Sequence, residues 1–263
     1  MSTIGDIYNA LFTFAPASMK MSWDNVGLLC GHMDREVRKV LVALDCSTAV
    51  IEEAKVWGAQ LIVTHHPLIF GEIKAVNDQT PLGRSLLTLI ESGIAAINLH
   101  TNLDVAPGGV NDILAARLGL SDVTVLDPMG QNAEGRDYGL IHTGYVNQTE
   151  LPAFASFVKS ALHCPGLRYA SGGKPVHHVA VGGGSCGSEI GEVLASGCDT
   201  FVTADLKYHQ LQQAADLGLN LIDAGHFETE DPVCELLASL VRGADSSLDV
   251  RISQTHKDMT CFL

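Results

Sequence analysis

Basic side chains are scarce in this 263-residue chain: 16 Lys and Arg stand against 30 Asp and Glu, a formal charge of −14. That is the wrong sign for a protein whose main work is gripping phosphate backbones, so general nucleic-acid binding is excluded as the leading function. No apolar run approaches the 18–20 residues that a membrane span needs. Met1 to Ala10 lacks the basic-then-apolar layout of a signal peptide, which sets the expectation of no secretory leader. The seven cysteines are scattered and odd in number, without a CxxC pair. A disulfide framework or a thiolate zinc site is not expected, and a reducing cytoplasm is the expected location. Only 9 prolines accompany 26 glycines, and hydrophobic residues reach 46%. That composition is globular, and the length allows one large domain or two modest ones, each able to bury a core.

What is there is a repeated rhythm of short β-branched runs followed by helical periods. Lys39–Leu44, Gln60–Val63 and Ile94–Asn98 read as buried strands, with helices over Ser47–Trp57, Pro81–Ser92 and Val110–Leu118. After Leu120 the texture changes, and polar Asp127–Asp137 reads as a crossing between lobes. The rhythm then resumes: strands at Tyr138–Tyr145, Val176–Val181, Thr200–Val202 and Leu219–Ile222, and helices over Thr149–Leu162, Glu189–Ala195, Leu206–Leu217 and Glu228–Val241. A last strand is expected at Leu248–Ile252. The alternation predicts an α/β protein of two layered α/β/α lobes with mixed, largely parallel sheets. The expected division is residues 1–122 plus 230–263 for the first lobe and 123–229 for the second. In such folds chemistry collects where strands end.

Three strand ends carry candidate chemistry. The first is Thr64-His65-His66-Pro67, two imidazoles leaving a buried strand in different directions, able to serve two ions or an ion and a substrate. The second is His100-Thr101-Asn102-Leu103-Asp104. In extended backbone His100, Asn102 and Asp104 would share a face, with Asp104 able to bridge two cations and His100 or Asn102 orienting it. The third is His226-Phe227-Glu228-Thr229-Glu230, where a helix would place His226 and Glu230 on one face and send Glu228 elsewhere. Each has a bland alternative: a capping histidine, an Asp that caps a turn, a surface Glu. Read jointly, His65, His66, Asp104, His226 and Glu230 make a donor set suited to two divalent ions such as Zn, Mn, Fe or Co.

The residues carrying these donors, together with Trp23-Asp24-Asn25-Val26-Gly27 and Thr203-Ala204-Asp205-Leu206-Lys207-Tyr208-His209, resemble the NIF-three-like dinuclear metal proteins, also called the GTP cyclohydrolase I type 2 family. The matching stretches span nearly the whole chain in the family's order. The resemblance implies that His65, His66, Asp104, His226 and Glu230 hold two metal ions. It also implies two α/β lobes and a ring-shaped homohexamer with the metals facing an inner cavity. Ala204 departs from the pattern, which has Gly there.

Other residues carry weaker signals. His177-His178 is a second pair, but it opens a strand instead of closing one and reads as solvated. Gly182–Ser188 could dock an anion on its backbone N–H groups or be only a tight strand-to-helix turn. Asp205, Lys207 and His209 could supply a proton shuttle or a substrate-phosphate contact, or be only a capping Asp and an exposed Lys at a helix start, and Asn25, in the Trp23-Asp24-Asn25 loop, could line a base-stacking pocket or simply make a turn. His100 and His209 are the candidate proton donors. The expected function is hydrolysis of a nucleotide or cyclic amide by metal-activated water. The competing reading is a non-catalytic metal-binding regulator or scaffold that forms a ring.

Overall fold

Capping chemistry in the sequence fixes the helix ends. Thr3 Oγ1 accepts the Asp6 N–H at 3.2 Å while the Asp6 carboxylate accepts the Thr3 N–H at 2.8 Å, a reciprocal box that starts the first helix. Thr80 Oγ1 accepts the Gly83 N–H, with Pro81 opening that helix and Gly93, at φ +64°, closing it in the left-handed region. The computed structural model describes residues 1–263.

In chain order the elements are α1 (Ile4–Phe14), β1 (Gly27–Cys30), β2 (Lys39–Ala43), α2 (Thr48–Trp57), β3 (Leu61–Thr64), α3 (Pro81–Ser92), β4 (Ala95–Asn98), α4 (Thr101–Val105) and α5 (Val110–Arg117). There follow β5 (Ser121–Val125), the small hairpin β6 (Gly130–Gln131) and β7 (Asp137–Tyr138), β8 (His142–Thr149), α6 (Leu151–Ala161) and β9 (Arg168–Ala170). The chain continues through β10 (Val176–Val181), α7 (Ile190–Ala195), β11 (Thr200–Thr203), α8 (Tyr208–Asp216), β12 (Asn220–Asp223), α9 (His226–Glu230), α10 (Val233–Ala244) and β13 (Asp249–Ile252). The class is α/β. Contacts divide it into two units, Met1–Leu103 with Val233–Lys257, and Asp104–Pro232 with Asp258–Leu263.

The first unit is built on a five-stranded sheet ordered β1-β4-β3-β2-β13. The last four strands run parallel, and β1 pairs antiparallel with β4. Leu41, Ile62 and Ala96 pack against Val50, Ile51 and Ala54 of α2 and Leu89 of α3, while α10 packs on β2, β3 and β13 and α1 packs on α10. The register pairs Thr64 with Asn98, so β3 and β4 end side by side and release His65 and His100 from the same edge.

The second unit is a three-layer sandwich. Its sheet is ordered β5-β8-β10-β11-β12-β9, with β10, β11 and β12 parallel and β5, β8 and β9 antiparallel to their neighbours. Alternation of side chains along the strands serves both faces. Val179, Val181, Val202 and Ile222 pack with Leu114 of α5 and Phe154 and Val158 of α6. Ala180, Phe201 and Leu221 pack with Ile190 and Val193 of α7 and Ala214 of α8.

Four sequence expectations change. α5, assigned to the first lobe, packs on β8 and β10, so the second unit starts at Asp104 instead of after residue 122. Asp127–Asp137 is not a crossing between lobes: it folds back as the β6–β7 hairpin inside the second unit. The helix read as Glu228–Val241 is two helices, α9 and α10, because Pro232 cannot continue the first. Residues 101–105 are helical, so the extended-backbone reading that put Asn102 beside His100 and Asp104 fails. The Asn102 amide donates instead to Ala15 O at 2.6 Å, and its oxygen accepts the His100 N–H.

Candidate metal centre

Each unit holds its own group of donor side chains. In the first, β3 ends at Thr64 and the chain bends, with the Thr64 hydroxyl donating to His66 O and the His66 N–H to Leu44 O. The bend cancels the strand alternation that would have pointed the two imidazoles apart. Their ring centroids lie 5.0 Å from each other, and the His100 ring sits 5.3 Å from His65 and 5.7 Å from His66. One nitrogen from each of the three rings falls within 4.8 Å of the others. His65 is fully buried.

The second unit supplies acids and one histidine. α9 places His226 and Glu230 at i and i+4, with His226 Nε2 3.0 Å from Glu230 Oε2. Asp104 and Glu230 are both buried and bring a carboxylate oxygen each to within 4.8 Å. Glu228 faces away, as the spacing predicts, toward Asp258; burial first, then that neighbouring acid, push its carboxyl up from the usual range. The Asn111 amide donates to Asp104 O and accepts the Gly183 N–H, tying α4 to the loop after β10.

A single hydrogen-bond pattern runs through all four histidines. His65 Nδ1 is 2.8 Å from Leu99 O, which can only accept, so Nδ1 carries the proton. His66 Nδ1 meets Asp45 Oδ1 at 2.7 Å, His100 Nδ1 meets Asp24 Oδ1 at 2.8 Å, and His226 Nδ1 meets Asp205 Oδ2 at 2.7 Å. Nδ1 held by a carbonyl or carboxylate, with Nε2 turned the other way, is the orientation that metal-ligating histidines adopt. Asp24 is buried, which alone would raise its pKa; hydrogen bonds from His100 and Thr101 outweigh that and hold the carboxyl well below the usual range.

The donor set fits a divalent cation on two further counts. His226 Nε2 lies 3.0 Å from Glu230 Oε2, so a ring nitrogen and a carboxylate oxygen stand close enough to share one cation, a proton or a metal ion. The loop after β10 leaves room beside them because residue 184 is glycine. A Cβ there would stand 2.1 Å from Glu230 Oε1 and 3.1 Å from His226 Nε2. Sequence reasoning passed over Gly184 as one of three consecutive glycines, and its signal was only that it follows a buried strand. Within Gly182–Ser188, read as an anion dock or a tight turn, the N–H groups of Gly183, Gly184 and Cys186 are taken by Asn111, Thr229 and Thr203, as a turn requires.

The remaining candidates separate cleanly. Asp205, read as a substrate contact, orients His226, and it takes φ +55° while the unexpected Ala204 is buried with ordinary backbone. Asn25, also read as a substrate contact, donates its amide to Ile69 O at 2.7 Å. Lys207 and His209 stand exposed at the start of α8 and join neither donor group. His177 donates from Nδ1 to Val146 O, and His178 stacks on Tyr145 at 4.6 Å.

Fold and site together define a two-unit α/β protein whose strand ends carry histidine and carboxylate groups that could hold a metal ion. The chain belongs to the Duf34/NIF3 (NGG1p interacting factor 3) family, whose model matches residues 2–259. Among curated relatives, a GTP cyclohydrolase 1 type 2 homolog of Streptomyces coelicolor is 39% identical over 98% of this chain and 93% of its own. One from Clostridium perfringens is 34% identical over 99% of both chains. Solved structures of a Bacillus cereus protein related to NIF3 (TM-score 0.91, 27% identity) and a Staphylococcus aureus protein (TM-score 0.90, 31% identity) each superpose over 99% of both chains.

Proposed function

We propose that the protein is a metal-dependent hydrolase in which His65, His66, Asp104, His226 and Glu230 hold two divalent ions and water is added to the ring of a nucleotide or cyclic amide. The observation that supports this reading is the shared histidine pattern: four imidazoles, each with its Nδ1 held by a backbone carbonyl or a carboxylate. The names of the curated relatives, GTP cyclohydrolase 1 type 2 homologs, favour a ring-opening hydrolysis. When bound, Zn, Mn, Fe or Co ions would polarise a carbonyl and bring the pKa of water toward neutrality.

The chain's own groups do the rest. Asp24 keeps the His100 proton on Nδ1, leaving Nε2 to take a proton from attacking water and return it to the departing ring nitrogen. His100 has an orienting acid beside the other imidazoles, whereas exposed His209 has neither, so His100 is the preferred proton carrier. Asp45 and Asp205 fix the rings of His66 and His226. Assembly as a homohexamer and a cytoplasmic location belong to the same proposal. All seven cysteines are free, and burial pushes the thiols of Cys46 and Cys164 up to about 12.

The test is elemental analysis of the purified protein joined to a turnover screen of nucleotides and cyclic amides with added Mn²⁺ or Zn²⁺. Two ions per chain and a water-adding reaction are expected, with Asp104→Ala losing both metal and turnover. Bound metal with no turnover of either class would support the regulatory or scaffold reading instead.

A further inference from the structure

The first unit carries two large aromatic side chains in the open beside its histidines. Trp23 is 61% exposed and Phe70 58%. Their ring centroids lie 5.8 Å apart, and each sits 6.2 Å from the His100 ring, meeting it edge-on at 72° and 73°.

The backbone beneath them is tied down. Asp24 Oδ2 accepts from the Thr101 N–H at 3.0 Å and the Thr101 hydroxyl at 2.6 Å, and Oδ1 accepts from the Asn25 N–H and from His100. The Asn25 amide reaches across to Ile69 O, directly before Phe70, while Asn98 at the end of β4 donates to Asn25 O at 3.0 Å. Lys20 Nζ donates to Asp24 O at 2.6 Å. One polar network thus fixes the loop bearing Trp23, the segment bearing Phe70 and the strand end bearing His100. Holding two apolar rings in water at fixed spacing is unfavourable for the free protein and useful for receiving a flat partner. Two rings of about 150–250 Å² each fall well short of the roughly 800 Å² per partner that a stable protein interface buries, so a second copy of the chain is the weaker occupant.

We infer that Trp23 and Phe70 are the substrate-stacking residues, and that the substrate ring is planar and fully conjugated, as in a purine, instead of a saturated, puckered cyclic amide. The inference rests on the hydrolase reading and narrows its substrate class. Asn25 and Asp24 are positioning residues for the platform, and a ring stacked there has its edge beside His100.

The test is a fluorescence and calorimetric titration with guanosine 5′-monophosphate, 5,6-dihydrouridine 5′-monophosphate and ribose 5-phosphate. A second set of flat rings, adenosine 5′-monophosphate and neopterin, is included. The other tryptophan, Trp57, lies under Arg251 at 4.3 Å and serves as an unquenched reference. At least one conjugated ring is expected to quench Trp23, with no quench by the dihydro compound or the ribose phosphate. Trp23→Phe should bind that ring within about threefold of wild type, and Trp23→Ala and Phe70→Ala at least tenfold more weakly. Equal quenching by the dihydro compound, no quenching by any flat ring, or unaltered affinity in both alanine variants overturns the inference. So does a changed oligomeric mass in Trp23→Ala with its ring affinity intact. Metal content is measured on the same samples. Its retention alongside failed stacking removes only this inference, whereas wild type that stacks rings but takes up no metal removes the hydrolase reading and leaves Trp23 and Phe70 as a ring-binding platform without a substrate role.

Discussion

Gly184 shows how much of the centre depends on single atoms that are missing. At φ +61° it occupies backbone that an L side chain resists, and an added methyl would overlap Glu230 Oε1. Gly184→Ala should therefore act twice, costing about 1–2 kcal/mol of stability from the backbone alone and displacing the Glu230 carboxylate from His226. The expected result is a folded protein, by thermal melting, with metal content reduced at least tenfold by elemental analysis. Wild-type metal content in a folded Gly184→Ala would show that Glu230 does not ligate from its present position. The other informative residues here are the ones that orient and do not bind: Asp24, Asp45 and Asp205 each accept from a histidine Nδ1. In the sequence Asp45 looks like an ordinary residue after a strand, because nothing in its neighbours announces a histidine 21 positions later.

Among the elements, β8 carries a titratable group with a consequence for pH. His142, at the start of that strand, is 3% exposed, its Nε2 lies 3.5 Å from Asp112 Oδ1, and its Nδ1 has no hydrogen-bond partner. Burial lowers its pKa, with Asp112 opposing in part. Since the folded value lies below the unfolded one near 6.5, the unfolded chain binds more protons between the two. This contribution to stability is intact above about pH 6.5 and is lost as pH falls through that window. Comparing His142→Phe with wild type in chelator-treated protein, the stability difference should shift in favour of the variant between pH 7.5 and 5.5 in denaturant titrations. Parallel curves would mean that His142 does not titrate differently in the folded state. Strand and helix identities were largely legible because β-branched runs and cap residues act locally. The edge strands β1, β5 and β9 were not, since a short half-exposed strand has no hydrophobic pattern of its own and forms only when a neighbour offers hydrogen bonds.

For the whole molecule, a three-histidine ligand set predicts that metal is held near neutrality and released in acid, because a protonated imidazole cannot coordinate. Equilibrium dialysis should show affinity at pH 5 at least tenfold weaker than at pH 7.5, and full retention at pH 5 would count against His65, His66 and His226 as joint ligands. Light scattering on the metal-loaded protein is expected to report six chains.

The sequence by itself determined the alternation of strand and helix, the strand ends where histidines and carboxylates gather, and which of those side chains are candidate donors, because periodicity, capping and side-chain type are properties of neighbouring residues. Only the tertiary structure decided that the chain divides at Asp104, that residues 101–105 wind into a helix, that Asn25 and Asp205 hold other groups in place, and that Gly184 leaves room beside Glu230. Those facts depend on which distant backbone carbonyl or carboxylate arrives next to a side chain. A one-dimensional pattern does not carry that distance.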